Sequence, residues 1–323
     1  TTASNLVRVG TSDNWVAGGG SGTLTIQDNA SLTTGRIYMG ENWTPKIPGM
    51  TATIDQTGGT VTITGTTGEN AAIRIGHWSQ ETSTYNLSGG ALSITDPNND
   101  LAIGTDGTGI FHQTGGQATV PGIQVNHRNA GGSGTLIVEG TGVMNIGSRG
   151  LKVAAGAATL GGSSVTTVAG NVSVGDWNFG GGPSTLTIQD SAVLNANGTE
   201  FMVGDSNSVP GAVNQTGGTV NIAGRTRIAH WPNETSTYTL SGGSLTANGL
   251  FNVGWDGTGV FTQSGGSSAF NGSLTVGAHG GPGGTVNMDG GTMTATHIRL
   301  GDWGGATGTL NITDGSITAG SMN

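Results

Sequence analysis

The chain has 323 residues, 64 of them glycine and none cysteine, with 9% charged residues and a formal net charge of −9. This excludes disulfide stabilisation, and the acidic balance argues against nucleic acid or an anionic membrane as partner. No apolar run approaches the roughly 18 residues of a membrane span, and the short, regularly spaced apolar runs argue against the disorder that so much glycine can signal. No signal peptide is visible at Thr1, and the opening Thr-Thr-Ala-Ser reads as processed or trimmed.

The first apolar run, Leu6–Gly10, ends in glycine. Next comes TLTIQD (Thr23–Asp28), whose period-two alternation is that of a strand. Related segments follow as TIDQTGG (Thr53–Gly59), TYNLSGG (Thr84–Gly90), IFHQTGG (Ile110–Gly116) and TLIVEG (Thr135–Gly140). In the second half they return as TLTIQD (Thr185–Asp190), AVNQTGG (Ala212–Gly218), TYTLSGG (Thr237–Gly243), VFTQSGG (Val260–Gly266), TVNMDGG (Thr285–Gly291) and TLNITDG (Thr309–Gly315). The interval is roughly 25 residues, a solenoid period. A short second strand usually follows, as at Val61–Ile63 and Val220–Ile222, and then a third, as at Ile73–Gly76 and Leu274–Gly277.

Three short strands per repeat, separated by glycine turns, predict an all-β parallel β-helix of about twelve three-strand coils. At about 4.8 Å per coil the rod is roughly 55–60 Å long. Its interior is a column of Leu, Ile, Val, Phe and Tyr. The second inward position of the first strand carries glutamine at Gln56, Gln113, Gln215 and Gln263. A buried glutamine needs partners, and turn backbone is the expected source. Asn and Thr dominate the outward middle position (Thr25, Asn86, Thr187, Asn214) and form solvated ladders.

A longer period lies above the coil. IGHWSQETSTYNLSGGALS (Ile75–Ser93) returns as IAHWPNETSTYTLSGGSLT (Ile228–Thr246), and IGTDGTGIFHQTGG (Ile103–Gly116) as VGWDGTGVFTQSGG (Val253–Gly266). The chain therefore divides into two tandem six-coil units, approximately residues 1–158 and 159–323, within one continuous domain. The spacer Ala154–Gly162 is the least regular stretch and the expected place for a bend.

The motifs STYNLSGG, FHQTGG and DGTGVFTQSGG resemble the repeats of large secreted or surface β-helical proteins of bacteria, of the autotransporter-passenger and PEP-CTERM-associated kind. The resemblance covers nearly the whole chain. It implies a right-handed helix, a secreted or cell-surface location, and adhesive, structural or polysaccharide-related work. It carries over no catalytic residue.

All seven tryptophans, Trp15, Trp43, Trp78, Trp177, Trp231, Trp255 and Trp303, follow a third strand that ends in glycine or alanine. The same loops hold His77, His127, His230 and His279, with acids from Asp13 and Glu41 to Asp256 and Asp302. The outward position of the third strand carries Arg8, Tyr38, Arg74, Lys152, Arg227 and Arg299. One edge should thus be a strip of aromatic, acidic, imidazole and guanidinium groups. Such a strip suits a polysaccharide, with the tryptophans as its binding residues; it equally suits rings that stack on one another for stability.

Two sets within it have the elements of a catalytic site: Arg74, His77, Glu81 and their counterparts Arg227, His230, Glu234. In a polysaccharide lyase the histidine would be the base and the arginine would neutralise a uronate; a glycoside hydrolase would pair carboxylates from neighbouring coils. That the pattern occurs twice argues instead for binding or structure. No cofactor or metal is expected. Calcium in the turns TDGTG and WDGTG is the one alternative, and these lack the full calcium nonapeptide.

The first residues continue a third strand and the last complete a first and second, so head-to-tail stacking of molecules into filaments is a further expectation. The reading is a secreted or surface structural β-helix, non-enzymatic, with itself or a glycan as partner. The alternative is a polysaccharide-degrading enzyme or its carbohydrate-binding region.

Overall fold

A computed structural model describes residues 6–12, 20–42, 49–65, 71–78, 80–126, 132–176, 182–206 and 208–323. Among these there is no helix, and so none long and apolar enough to cross a membrane. Parallel strands stack into a β-solenoid of about 11 turns, close to the dozen coils the repeats imply.

Each coil contributes to three faces. On the first, Gly22–Ile26 pairs with Met50–Gln56, which pairs with Glu81–Leu87, and so on along the rod. The second begins with Ser31–Thr34 on Thr60–Ile63, and the third with Leu6–Ser12 on Arg36–Asn42. Near the C-terminal end the strands Gly283–Leu300 and Gly308–Met322 run around the corners and serve all three faces. At the expected bend, Ala157–Leu160 pairs in unbroken register with Thr135–Val138 on one side and Thr185–Ile188 on the other. Register shifts fall elsewhere, beside Asp100, Gly122, Phe270 and Asp289.

Stacking in register turns each repeat position into a column. One inward column runs Leu24, Ile54, Tyr85, Phe111, Leu136 and on to Tyr238, Phe261 and Val286. First and second strands alternate buried and part-exposed residues, as in Gly211–Gln215 and Thr219–Ile222. Third strands differ. Every residue of Ala71–Ile75, Asp100–Ile103 and Phe251–Val253 is buried, so at these coils the third sheet is covered on its outer surface too, whereas Glu200–Asp205 and Arg225–Ile228 alternate. Strands covered on both surfaces have near-continuous apolar runs rather than alternation, as Ala71-Ala72-Ile73 shows.

The four glutamines are fully buried. Gln215 Nε2 donates to the carbonyls of Gly218, in its own turn, and Ser244, in the next coil, at 3.4 and 2.9 Å. Gln56, Gln113 and Gln263 bond in the same way. Turn backbone is therefore the partner. A second partner was hidden from sequence: Tyr85 and Tyr238 donate to Oε1 of Gln56 and Gln215 at 2.7 and 2.8 Å. Tyr238→Phe should leave a buried carbonyl oxygen unpaired and lower stability by about 1–3 kcal/mol, measured by chemical unfolding against wild type.

Candidate functional site

The corner after each third strand begins with backbone conformation. The strand-ending residue has left-handed φ: +69° at Gly76 and +73° at Gly254. Ala229 adopts the same conformation at +58°, at a steric cost that glycine avoids. This turn aims the corner carbonyl along the rod. Gly76 O accepts the N–H groups of Thr105, Asp106 and Gly107, and Ala229 O those of Trp255, Asp256 and Gly257. Each loop is thereby fixed to the corner of the coil before it.

Glu81 and Glu234 complete this corner from within. Glu81 Oε1 accepts the N–H of Trp78 at 2.6 Å, and Glu234 Oε1 that of Trp231 at 3.0 Å. The side chains are accommodated between glycines of adjacent coils. A Cβ at Gly40 would collide with the Glu81 carboxyl, and one at Gly107 would crowd its Cγ; Gly204 and Gly257 make the same room around Glu234. Both glutamates are buried, and the second oxygen of each has no hydrogen-bond partner. Burial raises Glu81 to about 8, with the Glu41 carboxylate adding to the rise and the backbone N–H groups opposing it. Burial raises Glu234 to about 9, helped by Asp205. At neutral pH both keep their protons.

The arginines and histidines pair separately. Arg74 Nη1 lies 2.9 Å from His77 Nε2, and Arg227 Nη1 lies 2.9 Å from His230 Nε2. A guanidinium only donates, so each imidazole accepts at Nε2 and carries its proton on Nδ1. In the second copy that N–H points to Asp205 Oδ1 at 3.2 Å. The structure thus brings together the members of both candidate catalytic sets. It places them so that the histidine lone pair is taken by arginine and the carboxyl group faces the turn backbone.

The two copies have diverged. Arg74 lies over the Tyr38 ring at 4.9 Å, with the His77 ring 4.7 Å from that of Tyr38, and all three residues are buried. The expected guanidinium strip is covered here. In the second copy Arg227 lies over the Trp255 ring at 4.9 Å and within 3.5 Å of Glu200, while Trp231 is 47% exposed. From there a row of rings continues. Trp255 and His279 are stacked 5.3 Å apart at 2°, and His279 lies 5.5 Å from Trp303, which is 70% exposed. His279 is held by Asp256 at 2.6 Å.

Trp78, Trp231, Trp255 and Trp303 therefore lie on one edge, as their spacing implies. Trp15, Trp43, Trp177, Asp13, His127 and Arg128 lie outside the described residues. Arg8 pairs with Glu41, Lys152 with Asp176 at 3.6 Å, and Arg299 with Asp302 at 3.4 Å. Among the described residues no group of three or more His, Asp or Glu is placed to hold a metal ion.

One buried charge centre escaped sequence reasoning. Asp100 is 1% exposed and receives Arg149 through Nε at 2.5 Å and Nη2 at 2.8 Å, with Gln124 Nε2 at 2.5 Å. The arginine reaches it across an intervening coil, past Gly122, where a Cβ would meet both side chains. That glycine was the only sequence signal.

No family model, curated protein or solved structure matches the chain. Fold and edge define its class: a parallel β-solenoid with a built corner, covered around Arg74 and, among the described residues, ring-lined from Trp231 to Trp303.

Proposed function

We propose that the protein is a structural, non-enzymatic β-solenoid of the cell exterior that binds glycans along the edge of its second half. The observation that carries this reading is the ring row Trp255–His279–Trp303, half-buried at Trp255 and His279 and open at Trp303. A stack serving stability alone gains by burying its rings, yet Trp303 is 70% exposed at the end of the row and Trp231 47% exposed beside it. The ring spacings of 5.3 and 5.5 Å follow the coil repeat; Trp255 lies between Arg227 and His279, so the rings open to a sugar are Trp231 and Trp303. Asp256, Arg227 and His230 supply the few convergent polar groups that orient a ligand on an apolar platform. The chain's low charge and abundance of Thr, Ser, Asn and Gly support an exterior location.

Trp303→Ala should weaken binding to a linear oligosaccharide by at least about tenfold, roughly 1.4 kcal/mol. The unfolding midpoint should stay near wild type, since an exposed side chain contributes within about 0.5 kcal/mol. Calorimetric titration against an oligosaccharide panel measures the first, and thermal unfolding the second. Failure of the wild type to bind any member would overturn the reading.

A further inference from the structure

A groove of about 420 Å³ opens on the outer surface of the third sheet, near the middle of the chain. Its origin is a step in one column. Along the outward position of the third strands, Lys152, Ser173, Met202 and Arg227 are successive register partners. The short Ser173 between two long side chains leaves the depression. Asn171, Asp176 and Asp205 line it with Lys152, Ser173 and Met202, and Arg149 closes one side. Its volume is that of small-ligand sites, roughly 300–1,000 Å³.

The groove is joined to the ring row. Asp205 accepts from Ser173 Oγ at 3.1 Å inside the groove and lies 3.2 Å from His230 Nδ1 on its far side. His230 lies against Trp231, their ring centres 5.4 Å apart. The same outward column continues from Arg227 through Asn252 and Thr275 to Arg299. At about 4.8 Å per coil the six steps from Lys152 to Arg299 span roughly 29 Å; Asn252 and Thr275 are buried between them, and the exposed surface over that stretch belongs to Trp231 and Trp303 in the corner beside the column.

The lining selects the ligand class. Arg149 and Lys152 are balanced by Asp176 and Asp205. Arg149 directs two of its donors at the buried Asp100, and Lys152 is answered by Asp176 at 3.6 Å. An anionic ligand would meet two carboxylates along with the two cations. A polyhydroxylated neutral ligand meets what it needs: donors from lysine and asparagine, acceptors from the aspartates, and the thioether of Met202 for an apolar face.

We propose that this groove is a subsite for a neutral sugar unit, and that it opens the axial track that continues over Trp231, Trp255 and Trp303. The inference rests on the glycan reading of the ring row and assigns that row its substrate class.

Two variants act on the groove alone. Lys152→Ala removes a donor, and Thr199→Trp fills the opening from an exposed rim position. The full chain is titrated with neutral hexasaccharides (cello-, manno-, xylo- and chito-) and with an oligogalacturonate of equal length. Wild type should bind at least one neutral oligomer, and more tightly than the uronate. Each groove variant should lose about tenfold in affinity for that oligomer, the scale of a deleted ligand hydrogen bond; the unfolding midpoint should be unchanged in Thr199→Trp, whereas Lys152→Ala also removes the cation beside the buried Asp176. Trp303→Ala should lose affinity as well. If Trp303→Ala loses binding while both groove variants stay within about twofold of wild type, the subsite falls and the ring-row reading stands. Tighter binding of the uronate overturns the neutral assignment. If no oligomer binds wild type, both readings fall.

Discussion

Phe261→Ala is expected to lower the stability of the solenoid's second half by about 3–5 kcal/mol, the range for truncating a buried aromatic. Phe261 is fully buried and meets Tyr238, Phe251 and Phe270 at ring separations of 5.7, 5.6 and 5.8 Å. These rings come from all three faces: Tyr238 and Phe261 from the first, Phe270 from the second, Phe251 from the third. They cross-link the faces over two successive coils, so neighbours cannot collapse into the space without moving a sheet. In a solenoid each coil contacts only its neighbours, and the loss should stay local. Hydrogen exchange should show faster opening of amides around residues 235–276, while those around Tyr85 and Phe111 keep wild-type protection. A loss under about 1 kcal/mol, or one spread evenly along the chain, would refute this account.

The solenoid was legible in the sequence because its physics is periodic. A strand buried on one face must alternate, and a coil that rests on its neighbour must repeat. The glutamine column shows the limit of such reading. Its turn partners follow from the need to satisfy a buried amide, but the Tyr238 hydroxyl that completes Gln215 belongs to the next coil and is visible only once register is known. The edge was legible as a place and not as an arrangement. Trp231 and Trp78 occupy equivalent positions in nearly identical strings, yet one is exposed and the other half-buried. Their arginines differ as well in what they meet: Tyr38 in the coil before Arg74, and Trp255 in the coil after Arg227. Glu81 and Glu234 read as candidate catalytic acids because sequence shows their chemistry and hides their surroundings. The glycines at 40, 107, 204 and 257 are the trace of those surroundings, lost among so many others.

Raising the pH should destabilise the protein through these two glutamates, and the double variant Glu81→Gln/Glu234→Gln should remove the effect. Below the ordinary glutamate value of 4.5 the folded and unfolded chains both hold the protons, and the stability they contribute is fully present. Above it the unfolded chain releases them, while the folded chain keeps them to about 8 at Glu81 and about 9 at Glu234. Stability therefore falls across this window, by at most about 1.4 kcal/mol per pH unit for each group, and levels off once the folded glutamates ionise. Glutamine retains a carbonyl oxygen for the tryptophan N–H and has no proton to lose. Unfolding free energies at about pH 5 should be similar for wild type and double variant, and at about pH 9 the variant should be the more stable. Parallel pH profiles would show that the carboxyl groups ionise freely in the folded corner. Glu81→Ala makes the structural contribution visible at every pH. It empties the space between Gly40 and Gly107 and deprives the Trp78 N–H of its acceptor, at a cost of about 1–3 kcal/mol. The duplicated acid is thereby assigned its work in holding the tryptophan turn, and the surface chemistry of the edge falls to the rings and to Arg227, His230 and Asp256 around them.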